Sequence, residues 1–425
     1  MSQTPRIPTH SVTRDYLGKI RMFSRNAQLF LLSTVLRGLA GGIWGVLFNL
    51  YLWDLGFRED FVGYVFLLSG LASGLAAFPA GIMCDKIGRK KSLIAGATAG
   101  SFANTILVFT SDSVLLLVVS LLGGLVSILS WVAQAPFMME NSEPEERTHL
   151  FSISWATFLV SNMAGSFAGG FLPQVFSGLL GVETTNVAVH RATLTISLGF
   201  LFLAVLPYYV IEEKPYLQDN ATMASRLSFK AIQSRAVIGK LVVTGGLIGL
   251  GAGLIVPLFN IFFQNKLEAS KEQIGTIFAL GNVAVAVGTV LAPIISSRLG
   301  KVRAVAFTEL VSIPFIFGIA FSPNLGFAAG SYLARGALMN MAGPIRNNFA
   351  MEVVRTEERA ATSGLNVMAD GIPRAISSSV AGQMMKGGNY VLPYMITSVL
   401  YFAASTLFLI FFRKAEKTAN RSWQR

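Results

Sequence analysis

The chain has 425 residues, 53% hydrophobic, 11% aromatic and only 13% charged, with a mean hydropathy of +0.58. Soluble domains carry about 25% charged residues, so an ordinary soluble protein is excluded and a lipid-embedded one is indicated. The net charge of +12 does not mark a nucleic-acid partner, because the basic residues lie between apolar segments and form no patch interleaved with aromatics.

Cys84 is the one cysteine, and His10, His149 and His190 have no ligand spacing, so neither a disulfide framework nor a metal site is expected. No cofactor is expected either. The first 27 residues are polar and basic. The apolar run behind them is too long for a secretory core, so no signal peptide is expected.

A helix crossing the bilayer core needs about 20 apolar residues. Twelve such segments occur in chain order: 28–53, 61–83, 92–111, 113–139, 149–176, 190–211, 238–263, 272–296, 303–322, 325–351, 361–385 and 390–412. They predict an all-α membrane protein. Span 1 carries Arg37, Trp44 and Asn49. Span 2 runs into the charged stretch GIMCDKIGRKK (81–91). Span 4 holds Trp131 and Gln134, and span 5 holds the small-residue run AGSFAGG (164–170). A polar, basic linker fills 212–237. Span 7 carries Asn260, span 10 carries Arg335, Asn340 and Arg346, and span 11 carries Asp370 and Arg374.

Basic residues orient the spans. With the N-terminus in the cytoplasm, five of the 34 lysines and arginines fall on the outer side (Arg58, Arg191, Lys266, Lys271, Lys386). Four fall within spans (Arg37, Arg335, Arg346, Arg374), and the other 25 lie on the inner side. Both termini are therefore expected in the cytoplasm, with the chain in the plasma (inner) membrane.

The two halves repeat. LRGLAGGIWGVLFNLYL (36–52) aligns with LIGLGAGLIVPLFNIFF (247–263) at an offset of 211, pairing Phe48 with Phe259 and Asn49 with Asn260. At an offset of 212, GYVFLLSG (63–70) meets GTIFALGN (275–282), DKIGRKK (85–91) meets SRLGKVR (297–303), and EERTHL (145–150) meets EERAAT (357–362). The expected organisation is a cytoplasmic segment 1–27, a six-helix bundle 28–211, the linker 212–237, a second six-helix bundle 238–412 and a tail 413–425. Parallel six-helix repeats with a site near the midplane between them describe one class of secondary transporter.

GIMCDKIGRKK resembles the signature of the major facilitator superfamily in the loop between helices 2 and 3, matching it at Gly81, Asp85, Lys86, Gly88, Lys90 and Lys91. The resemblance spans the chain: twelve spans, a two-fold repeat and a central loop. It implies a transporter in which spans 1, 4, 7 and 10 line the cavity, which places Arg37, Arg335 and Arg346 there. It also implies that Asp85 meets the start of span 11, near Thr362 or Ser363, when the cytoplasmic side is closed. A helix N-terminus attracts an anion by about 0.3–1 kcal/mol when exposed, so Asp85 reads as a conformational latch. In the second copy Ser297 replaces this acid. The lysines also obey the positive-inside rule and attract anionic lipid headgroups.

AGSFAGG resembles the family's antiporter-associated pattern through Gly165, Gly169 and Gly170. Ser166 stands for its proline and Ser161 for an earlier glycine, and close helix packing accounts equally well for the stripe. Span 4 lacks the arginine-glycine pair linked with proton coupling. Such a pair stands in span 10 instead, as Arg335-Gly336.

Charged residues inside spans are functional candidates by default. Asp370 and Arg374, four residues apart, can pair along one helix face and are the coupling or gating candidates. Glu140, Glu309 and Glu352 lie nearer span ends and are read as interfacial, which leaves four span arginines against one deep acid. A guanidinium suits carboxylate or phosphate. Trp44, Asn49, Trp131, Gln134, Asn260 and Asn340 are the other cavity candidates, with Met339, Met341 and Phe349 as an apolar wall.

The expected function is secondary active transport of a small organic solute by alternating access. Efflux of amphipathic, drug-like compounds, with protons as coupling ion, stands beside transport of a carboxylate- or phosphate-bearing anion. A non-transporting receptor on the same fold is the distant alternative. Lipids are the other expected partner, the chain is expected to act as a monomer, and no set of residues suggests an enzyme.

Overall fold

The computed structural model describes residues 23–212, 233–355 and 358–422. The linker expected at 212–237 lies outside the described residues except at its ends, as do residues 1–22 and 423–425. Twelve helices follow one another: α1 Arg25–Asp54, α2 Glu59–Ile87, α3 Arg89–Phe109, α4 Ser113–Glu140, α5 Pro144–Leu180, α6 Val187–Val210, α7 Arg235–Leu267, α8 Lys271–Leu299, α9 Lys301–Ala320, α10 Leu325–Val353, α11 Arg359–Lys386 and α12 Leu392–Ser422. Each corresponds to one expected span, with four spans (92–111, 190–211, 303–322 and 390–412) running one or two residues past a helix end. Helix α7 is interrupted by a 3₁₀ turn at Val256–Leu258, where Pro257 has no N–H to offer the ladder.

Nine of the described helices are long and apolar enough to cross a bilayer; α5, α10 and α11 are not among them. Their sequences explain this. Helices α10 and α11 carry most of the span charges, and α5 is rich in serine and glycine. In lipid only a helix satisfies its own backbone, so these three keep their form while presenting polar groups to the interior. Side-chain caps close several starts: Asp112 accepts from the Leu115 amide, Asn186 from Ala188, Asn324 from Phe327, and Ser270 forms a reciprocal box with Gln273.

The helix pairings recur between the halves. Helix α1 packs on α5 and α6, α2 on α4, and α3 on α4 and α6; α7 packs on α11 and α12, α8 on α10, and α9 on α10 and α12. The contacts joining the halves, α2 with α11 and α5 with α8, are images of each other. The fold is thus two parallel six-helix repeats. Local geometry repeats too. Gly88 (φ 92) ends α2 and Gly300 (φ 82) ends α8, both in backbone that favours glycine. The degraded copy SRLGKVR therefore keeps the turn while losing the acid.

We call the face with the α2–α3 turn the near face, and the face with the α1–α2 turn the far face. In the far half, one apolar core takes residues from both repeats, among them Leu50, Tyr51, Ile255 and Phe262. In the near half the core is split. One part belongs to the first repeat (Phe30, Phe137, Tyr208) and the other to the second (Val305, Phe349, Phe408). The halves are joined at the far face and part towards the near face. Met341 and Phe349, expected to line the cavity, belong to the second near core, buried at 5% and 3% exposure.

Candidate functional site

A cavity of about 400 Å³ lies between the halves, below the shared core. That volume falls within the roughly 300–1,000 Å³ of small-molecule sites. Its far end is closed by the two asparagines that the repeat aligns. Asn49 Nδ2 donates to Asn260 Oδ1 (2.9 Å) and to the Pro257 carbonyl (2.7 Å). Asn260 Nδ2 in turn donates to the Val46 carbonyl (3.1 Å). Each amide thus binds the carbonyl three residues before its counterpart, and α1 and α7 are clamped about the axis relating the halves. Both side chains are buried, at 4% and 1% exposure, where an unmade bond would cost about 1–3 kcal/mol. A second amide pair, Asn282 Nδ2 to Asn162 Oδ1 (3.0 Å), joins α8 to α5 on the cavity wall.

Aromatic rings supply the apolar wall: Trp44 stacked on Phe48 (4.3 Å) from α1, and Phe278 on Tyr332 (5.7 Å) from α8 and α10. One charged side chain lines the cavity, Arg335, which is 93% buried by its 7% exposure. Its Nη2 donates to Tyr401 Oη (3.0 Å), and its guanidinium lies over the rings of Phe259 (5.5 Å) and Tyr401 (5.9 Å). Its Nε is buried without a hydrogen-bond partner. A desolvated cation over aromatic faces gains up to about 2 kcal/mol. That leaves a donor ready for an electron-rich group.

Of the expected cavity residues, Trp44, Asn49, Asn260, Arg335 and Asn340 line this space. Arg37, Trp131 and Gln134 do not; they line a separate space inside the first repeat. Arg346 does not line this central space. Its Nη2 pairs with Glu309 (2.7 Å), it lies over Phe408 (4.8 Å), and Glu309 also accepts from Ser405 (2.7 Å). Glu309 is 1% exposed, so it is a deep acid and not an interfacial one. The tally of four arginines against one acid therefore changes. Arg346 has Glu309, and Arg374 holds Asp370 in a two-pronged pair (2.8 and 3.1 Å) on α11. Arg37 and Arg335 are the two span arginines in no ion pair among the described residues.

Asp85 is bound within its own repeat. Arg89 Nη1 donates to it (2.5 Å), and Arg89 Nε donates to Glu140 (3.0 Å). Helix α11 starts at Arg359, earlier than Thr362 or Ser363, and its preceding residue Glu358 accepts from the Gln233 and Ser234 amides at the start of α7. Hydrogen bonds from Ser234 and Gln233 hold the Glu358 carboxyl below its ordinary range. With the near half of the core split, Asp85 stays with Arg89. Gly81 lies within α2, Gly88 makes the turn, Lys86 and Lys91 are exposed and Lys90 is half-buried. The span-5 glycines are contact points. A Cβ on Gly165 would meet the Leu39 carbonyl at 2.1 Å, on Gly169 the Ile43 Cα at 3.0 Å, and on Gly170 the Lys271 carbonyl of the other repeat at 2.8 Å.

A family model described as Major Facilitator Superfamily matches residues 30–378 and, again, 241–425. The chain belongs to that superfamily. Multidrug resistance protein MdtG of Serratia proteamaculans (strain 568) is 24% identical over 266 residues, covering 61% of this chain and 61% of that protein. The chain thus matches about three fifths of that curated relative's length. Among solved structures, the nucleoside transporter NupG superposes with a TM-score of 0.69 at 16% identity, over 90% of this chain and 99% of that one. The D-xylose-proton symporter gives 0.72 at 16%, over 90% and 96%. At these identities the likeness is one of fold.

In this major facilitator the far-face closure is made by residues that sequence reasoning passed over or counted only as loop charges. Lys271 Nζ, from α8, bridges to Asp54 (3.4 Å) and to the Thr184 carbonyl (2.6 Å) of the other repeat. His190, fully buried, stands 3.5 Å from Asp54. Lys386 pairs with Asp60 (2.7 Å). Tyr390 donates to the buried Glu59; burial, then this bond, pushes its hydroxyl up to about 12. The available signal was the alternation of acids ending or starting spans 1 and 2 with lysines at the outer ends of spans 8 and 11.

Proposed function

We propose that this major facilitator moves small amphipathic, aromatic solutes, neutral or singly anionic, by alternating access, and that it exports them. Arg335 carries the reading: a desolvated cation with a free Nε, among aromatic rings and amides, in a cavity between two repeats. A positive lining without a carboxylate among its residues repels lipophilic cations and accepts electron-rich groups. Export is supported by the likeness to a protein named for multidrug resistance and by the glycine stripe of α5. The basic-residue count supports a near face in the cytoplasm, from which the cavity would take its solutes.

The test is thermal stabilisation of the purified protein by matched neutral, anionic and cationic aromatic solutes. Neutral and anionic members should raise Tm, and Arg335→Ala should remove the effect. Stabilisation by lipophilic cations that survives Arg335→Ala overturns the reading. A proton-coupled variant of it rests on the Asp370–Arg374 pair, where a proton and the guanidinium compete for one carboxylate. Asp370→Asn should then abolish transport driven by a pH gradient while leaving solute exchange. Intact gradient-driven transport in that variant removes Asp370 from the coupling.

A further inference from the structure

Inside the first repeat, on the near side of Trp44, lies a cavity of about 170 Å³. Helix α1 packs on α5 and α6, and α4 on α2 and α3, so α1 and α4 face each other across this gap. Arg37 looks into it from α1, Gln134 and Trp131 from α4, and Asn104 from α3. A neighbouring space of about 150 Å³ shares Gly100, Asn104 and Ser127 with it, and Trp44, Phe48 and Phe66 with the central cavity. The three spaces adjoin through shared wall residues, in order from the central cavity to Arg37.

The lining of the inner end is one-sided. Arg37 has no carboxylate in ion-pair range among the described residues, and its Nη2 makes two long bonds of 3.3 Å, to Thr34 Oγ1 and Gln134 Oε1. Its Nε is buried and unpartnered. Gln134 accepts from Arg37 through its carbonyl oxygen, which leaves its amide N–H groups as donors, and Asn104 makes no side-chain hydrogen bond among the described residues. A guanidinium edge with amide donors beside it matches a planar anion. A membrane-buried arginine is as a rule compensated by a partner.

The repeat shows that this space is not a by-product of the fold. At the aligned positions of the second half, Ile248 stands for Arg37, Ile316 for Asn104, Met339 for Ser127 and Arg346 for Gln134. There Ile316 is fully buried and Met339 packs on the shared core, accepting from Ser312. The one cation, Arg346, is already neutralised by Glu309. The first repeat leaves open, and lines with donors, a site that the second fills with Ile316, Met339 and the Arg346–Glu309 pair.

We infer that the Arg37 pocket is an anion subsite that takes the carboxylate of a small aromatic acid, whose ring lies towards Trp44 and Phe48. Its 170 Å³ is between five and six times the ~30 Å³ share of a liquid water, room for a carboxylate and part of a ring. Trp131, at 64% exposure, stands at its edge. This subsite uses a different arginine from the proposed central site and stands or falls separately from it.

The test uses the full-length purified protein, with 4-nitrobenzoate as probe and its neutral counterpart 4-nitrobenzamide as control, each titrated by calorimetry and by quenching of tryptophan emission. Nitrobenzoate should bind more tightly than the amide and quench a component lost in Trp131→Phe. Arg37→Met should weaken nitrobenzoate by at least about tenfold, the loss of one charge-assisted bond, with the amide unchanged. Ser127→Met, which installs the second repeat's own filler, should do the same with Arg37 intact and answers the question should Arg37→Met not fold. The loss caused by Arg37→Met should be of the same size in an Arg335→Met background. Unchanged nitrobenzoate affinity in Ser127→Met, or a loss that follows Arg335 alone, overturns the subsite. The second outcome leaves the central-cavity reading standing.

Discussion

Closure of the far face depends on backbone meeting backbone between α5 and α8, and a single methyl should undo it. A Cβ on Gly275 would lie 2.6 Å from the Gly170 Cα and 2.7 Å from the Ser166 carbonyl oxygen. Carbon atoms in contact sit ~3.5–4.0 Å apart, so Gly275→Ala must push the helices apart by about 1 Å, with no flexible side chain to give way. Overpacking of this kind costs ~1–3 kcal/mol. The cost falls only on the state in which the far halves touch, because the clash is between repeats and not within either one. It should therefore shift the equilibrium towards the far-open, near-closed state by about 5- to 150-fold. Spin labels on Lys86 and Arg298, both exposed on the near face, in a Cys84→Ser background, would report the shift as a shorter distance. Gly178→Ala is the control, since a Cβ there meets nothing within 4 Å. A distance distribution for Gly275→Ala that matches both wild type and the control refutes the reasoning.

Asp85→Asn should lower transport at equal membrane expression by enriching the near-open state, since the anion that would engage the near end of α11 is gone; unchanged rates would remove the latch. Arg346→Met should lower stability by about 3–5 kcal/mol, the cost of an uncompensated buried acid, and Glu309→Gln added to it should recover most of the loss in Tm. Glu358 joins the starts of α7 and α11, and the hydrogen bonds it accepts there hold its carboxyl below the ordinary glutamate value of 4.5. Its contribution is present above that value and is lost as pH falls through the lower folded one. Glu358→Gln should therefore flatten the acid limb of Tm against pH below about 4.5, and an unaltered limb would contradict this.

The twelve helices were legible because lipid leaves a chain few options: every apolar run of sufficient length must be a helix. The repeat was legible at the level of single residues. The alignment of Asn49 with Asn260 reappears as matched bonds, each amide donating to the carbonyl three residues before the other, and Gly88 with Gly300 as the same positive-φ turn. What escaped was pairing across distance. Glu309 lies nine residues into α9 and looked interfacial by position alone, yet it meets Arg346 and Ser405 from two other helices. Asp54, His190 and Lys271 come from three helices and two repeats, and Lys271 reaches the other two only because the far face is closed. A conformational state leaves no periodic mark on a sequence.

The two copies also sort the residues by what they do. Where the copies agree, as at Asn49 and Asn260 or Gly88 and Gly300, the side chain or backbone serves closure and turning, tasks that both halves must perform alike. Where they diverge, the proposed chemistry gathers. Asp85 faces Ser297, Arg37 faces Ile248, and Gln134 faces Arg346. A symmetric cage of two arginines would hold a doubly charged anion. Here one span arginine of each half is in no ion pair among the described residues, and they stand at different levels: Arg37 in a side pocket of the first repeat and Arg335 in the central cavity. Such an arrangement suits a solute with one anionic or electron-rich end and an aromatic body. A phosphate clamp would need the second half to restore the cation that Ile248 has replaced.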